Sequence, residues 1–101
     1  MDAHEARQLA IKTQVRKLVT HEEWIYKILD GILNRIKDAA KSGQYTYNVT
    51  YTFNWNDDRY DCIILRDSGE VKALVMLLEQ KGYNVEYSSY KIMIDWYEVE
   101  L

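Results

Sequence analysis

Trp55, Arg59, Arg66 and Tyr97 are the residues of this chain whose types suit the capture of an anionic, aromatic ligand. Trp55 is the one conspicuous aromatic in the polar stretch Asn54-Trp55-Asn56-Asp57-Asp58, and Tyr97 falls on the strand face opposite Trp96. Both rings combine a large apolar body with a polar tip, which suits a surface that must grip a partner in water. Arg59 and Arg66 lie near enough in sequence to pair a guanidinium with an anion. An arginine flanked by aspartates also makes an ordinary surface ion pair, worth only about 0–1 kcal/mol.

Other reactive side chains form no catalytic or metal-binding pattern. His4 and His21 fall in no H-E-x-x-H or comparable spacing. Asp57, Asp58 and Asp61 gather carboxylates without the alternating ligands and central glycine of a calcium loop, and they read as a solvated acidic loop. Cys62, the single cysteine, has no adjacent base and reads as a small core residue. Four glycines leave no phosphate-cradling loop, and no nucleophile elbow is present. The expectation is a binding protein, with no catalytic residue, metal or cofactor.

The 101 residues are enough for one domain spanning 1–101. A net charge of −3 argues against a large surface for duplex nucleic acid, which needs clustered Lys and Arg, and leaves room for local basic pockets. No stretch reads as a membrane span or a secretory signal, and a lone cysteine suits a reducing compartment, so the cytoplasm is expected.

These residues need elements to position them. Residues 1–42 contain no proline and one glycine, Gly31, and Leu18, Ile25, Ile28, Leu29, Ile32 and Ile36 recur at helical spacing. Thr20-His21-Glu22-Glu23 reads as a capping box and marks a place for a break. Unbroken, a helix of roughly 40 residues would span about 60 Å and overhang a domain whose radius of gyration is near 13 Å. Either it folds back at Thr20 or Leu9, Ile11, Val15, Leu18 and Val19 find cover on another chain. The reading adopted is a homo-oligomer with this helix as the assembly element, its continuity through Thr20 left open.

Residues 44–101 form the body. Gln44 to Phe53 alternates as a half-buried strand, and Tyr60 to Arg66 reads as a short strand. Asp67-Ser68-Gly69-Glu70 caps a second helix that Gly82 stops. Tyr83 to Tyr87 and Tyr90 to Trp96 make a β-hairpin with its turn at Ser88-Ser89. The fold class is α+β: a long N-terminal helix, a small antiparallel sheet, a second helix packed on it and a C-terminal hairpin. Nine tyrosines and three tryptophans stand against one phenylalanine. Tyr45, Tyr47, Tyr83, Tyr87, Tyr90 and Trp96 occupy alternating strand positions and are expected in the core.

Ile36-Lys37-Asp38-Ala39-Ala40-Lys41-Ser42-Gly43 before a strand, and Leu78-Glu79-Gln80-Lys81-Gly82-Tyr83-Asn84-Val85 before Ile92-Met93-Ile94-Asp95-Trp96, resemble a loosely defined set of small α+β proteins of tailed bacteriophages and prophages. The shared pattern is I-x-x-A-A-x-x-G, then L-x-x-x-G-Y-x-V and a final I-x-W. The resemblance covers about two thirds of the chain and implies a place in the host bacterial cytoplasm. It also suggests a role, since some phage proteins of this build sequester the cyclic di- or trinucleotide signals of antiphage defence at subunit interfaces. A protein–protein inhibitor of a host enzyme or nuclease, of anti-CRISPR or host-takeover type, or a minor virion protein, is the alternative.

Overall fold

The computed structural model describes residues 1–56 and 62–97. The described residues form α1 (Ala3–Leu18), α2 (Glu22–Lys41), β1 (Thr46–Thr52), β2 (Cys62–Ile64), α3 (Ser68–Gln80), β3 (Asn84–Tyr87) and β4 (Lys91–Asp95). The architecture is α+β, with the helices on one face of a four-stranded sheet of order β2-β1-β4-β3.

The N-terminal helix is not continuous. Asp2 caps α1 by accepting from the Glu5 N–H at 2.8 Å, and the helix stops where Val19 turns extended (φ −127°, ψ 144°). Residues 19–21 form an elbow, so α1 doubles back onto α3 while α2 packs on α3 and β1. Val15 and Val19 are buried in their own chain, and Ile11 and Leu18 are half-buried against the core. The overhang that pointed to an oligomer therefore does not arise. Burial of apolar surface drives the bend, because a straight helix would leave Val15 and Val19 in water. The expected capping box at Thr20 is absent: His21 occupies the N-cap position, with no side-chain capping bond.

Both glycine-terminated motifs are helix stops of one kind. After α2, Gly43 (φ +83°) donates to the Ala40 carbonyl and Gln44 to that of Ala39. After α3, Gly82 (φ +97°) donates to Glu79 and Tyr83 to Leu78. These are Schellman closures, which need a left-handed residue that glycine adopts without a Cβ clash. Each redirects the chain from a helix into a strand.

The sheet is mixed. β1 pairs antiparallel with β4 (Val49 opposite Ile92), and β4 with β3 (Val85 opposite Ile94), which is the expected hairpin. β2 lies parallel to β1, with Thr50 opposite Cys62, so the sheet is antiparallel only across the other three strands. Cys62-Ile63-Ile64 is a continuous apolar run, as parallel strands often are, and carries no alternation from which direction could be read. Val49, Tyr51, Ile92 and Ile94 face the helices and join Ile25, Leu29, Ile32, Leu74 and Leu78 in the core. Of the six aromatics expected inside, Tyr47, Tyr83 and Trp96 pack against that core, whereas Tyr45, Tyr87 and Tyr90 are exposed. Tyr90 is lost to the turn, since the Ser88 N–H donates to the Lys91 carbonyl at 2.9 Å and leaves Ser89-Tyr90 at the tip. Tyr45 precedes β1, and Tyr87 ends an edge strand where little packs above it.

Candidate cation–aromatic cleft

Two of the sequence-derived site residues meet. The Arg66 guanidinium carbon lies over the Trp55 ring, 5.2 Å from its centroid. Trp55 is held in a tight turn just past β1, where the Asn54 N–H donates to Thr52 Oγ1 and the Asn56 N–H to Asn54 Oδ1. Arg66 follows β2, and its backbone N–H donates to Glu70 Oε1 at 2.6 Å. Glu70 in turn belongs to the first turn of α3, whose N-cap Asp67 accepts from the Glu70 N–H at 3.1 Å. The expected capping pattern is thus present, and it fixes the main chain from which Arg66 projects.

Arg66 also lines a cleft of about 490 Å³ at the start of α2, with Thr20, His21, Glu22, Glu23, Trp24 and Lys27. His21, Trp24 and Lys27 recur every third residue, which puts them along one side of the helix start. Trp24 is 40% exposed and Trp55 56% exposed, the latter with Arg66 over one face of its ring. Glu22 is engaged elsewhere, its Oε2 lying 3.2 Å from Arg16 Nε across the elbow. The Trp24 N–H donates to the His21 carbonyl at 3.2 Å, and the Glu22 and Glu23 N–H groups stand before it at the end of the helix where the dipole favours negative charge. The arrangement can stack a planar ring and meet an anion through Lys27 and Arg66, beside the carboxylates of Glu22 and Glu23.

The other predicted site residues do not join it. Tyr97 packs edge-on against Tyr45, with centroids 5.4 Å apart, at the end of the sheet where β1 begins. Trp55 stands beyond the other end of β1, whose seven residues span about 23 Å at strand rise. Arg59 lies outside the described residues, as do Asp57, Asp58 and Asp61. Trp24 and Lys27 were not singled out from sequence; the three-residue steps from His21 to Trp24 and from Trp24 to Lys27 were the available signal. Among the described residues no group of three or more His, Cys, Asp or Glu is placed to hold a metal ion. No helix among them is long and apolar enough to cross a membrane.

Comparisons with protein-family models, with curated proteins and with solved structures found no match.

Proposed function

We propose that this chain is a non-catalytic phage or prophage accessory protein that binds and sequesters a cyclic-nucleotide signal of bacterial antiphage defence in the host cytoplasm. The observation that carries the reading is the Arg66 guanidinium, which lies over the Trp55 ring and also lines the cleft with Trp24, His21 and Lys27. A nucleobase would stack on an exposed indole, and its phosphate would meet Arg66, Lys27 and the α2 amides. The cleft is built from one chain, whereas a cyclic dinucleotide presents two bases. The proposal therefore includes a homo-oligomer assembled around the ligand, with clefts from two chains facing it.

A thermal-shift panel of cyclic di- and trinucleotides tests this. A ligand that binds only the folded chain adds RT ln(1 + [L]/Kd), about 2.7 kcal/mol at a hundredfold excess over Kd. The expected result is a shift with at least one nucleotide that Trp55→Ala and Arg66→Ala each abolish. Both side chains are exposed, so ligand-free stability should change by no more than about 0.5 kcal/mol. No shift with any nucleotide would remove the reading and leave inhibition of a host protein in its place.

A further inference from the structure

A second concave surface lies away from the cation–aromatic cleft. α1 and α3 run antiparallel, the α1 terminus at Leu18 meeting the start of α3 at Gly69, and between them opens a trough of about 530 Å³. Its apolar lining is Leu18, Val75 and Met76, with Tyr87 of β3 at its side, and a smaller hollow beside Ile11 and Met76 continues it toward the start of α1. From Leu18 back to Ile11 the trough runs for about 10 Å, roughly two helical turns.

The charge around it is basic on balance. Lys17 on α1 and Lys72 on α3 border the trough, and Glu79 is the acidic group in its lining. Arg7 lies one turn before Ile11 on the same side of α1, whereas Lys12 and Arg16 face the α2 side, where Arg16 pairs with Glu22. We infer that this trough is a docking groove for an amphipathic helix of another protein, with apolar anchors on one face and acidic residues beside them. Such helices lay their apolar stripe into a groove and read its rim by charge. A second copy fits poorly, because α1, which exposes Leu9, would bring its own basic residues against Lys17 and Lys72. A bilayer fits poorly too, since membrane-surface helices insert a protruding apolar face, and here the apolar residues are recessed between two helices.

The three methionines supply the assay, because Met76 is in the trough while Met93 is on β4. Met93 alternates with the inward-facing Ile92 and Ile94, which places it on the sheet face turned away from the helices. With methyl-labelled methionine, a synthetic helix bearing leucines on one face and flanking glutamates should shift the Met76 signal and leave Met93 unmoved. It should bind about tenfold tighter than the same peptide with lysines for glutamates. The double variant Lys17→Glu/Lys72→Glu, altering two exposed side chains, should reverse that preference. Four outcomes would overturn the inference: no Met76 shift with either peptide, equal affinity for both, co-sedimentation with phosphatidylserine vesicles without a peptide response, or a doubled mass that fills the groove without peptide. Trp55→Ala should leave the peptide response intact, which separates this surface from the nucleotide cleft.

Discussion

At the scale of single residues, the tightest constraint is a backbone approach. A Cβ built on Gly69 would lie 2.3 Å from the Leu18 carbonyl oxygen, which belongs to the last turn of α1. Gly69→Ala should destabilise the fold by about 1–3 kcal/mol, the range for overpacking, measured by urea denaturation. Tyr51 is 4% exposed and donates a hydrogen bond to the Ser88 carbonyl. Burial, then the nearby Tyr87 phenol, raises its pKa above the ordinary 10.0. Because the unfolded chain ionises first, the stabilisation this creates is full below about pH 10 and is lost as pH rises through the folded-state value. Melting curves across the alkaline range should therefore fall less steeply for Tyr51→Phe than for the parent, although the variant loses about 0.5–1.5 kcal/mol of hydrogen bonding at neutral pH.

At the scale of elements, the fold-back of α1 makes a prediction that an overhanging helix would not. Val15 is fully buried, whereas Leu9, also on α1, is 53% exposed. Val15→Ala should cost about 1–3 kcal/mol through lost burial and the cavity left behind, and Leu9→Ala no more than about 0.5 kcal/mol; paired denaturation curves measure the contrast. Helix positions and stops were legible in sequence because they are local: caps, periodicity and the two Gly turns act within a few residues. The α1–α2 elbow was only half legible. Thr20 marked a place for a break, but whether the chain bends there depends on α3 offering an apolar face some fifty residues later in the chain. The direction of β2 was not legible either, since its three residues carry no alternation.

At the scale of the whole molecule, the described chain has a radius of gyration of 14.3 Å and extents of 44 × 35 × 21 Å. That is near the 13 Å or so expected for a folded chain of about 100 residues, as the fold-back of α1 onto α3 requires. Assembly, on the proposed function, comes with the ligand. Light scattering should give the 12.0 kDa chain alone without nucleotide and about twice that mass once a cyclic dinucleotide bridges two clefts. A monomer at saturating, stabilising ligand would confine binding to one chain and remove the assembly part of the proposal.

The amino-acid order by itself determined the α+β class, the extent of most helices and strands, and the residue types from which a cation–aromatic site could be built. Those properties follow from periodicities and capping chemistry that act over a few residues. Only the tertiary structure decided that Arg66 meets Trp55 beside Trp24 and Lys27, while Tyr97 stands with Tyr45 at the other end of β1. It also decided that α1 and α3 frame an apolar trough. These proximities join segments far apart along the chain, and they are set by how the helices bury their faces against one another and the sheet, which no local pattern encodes.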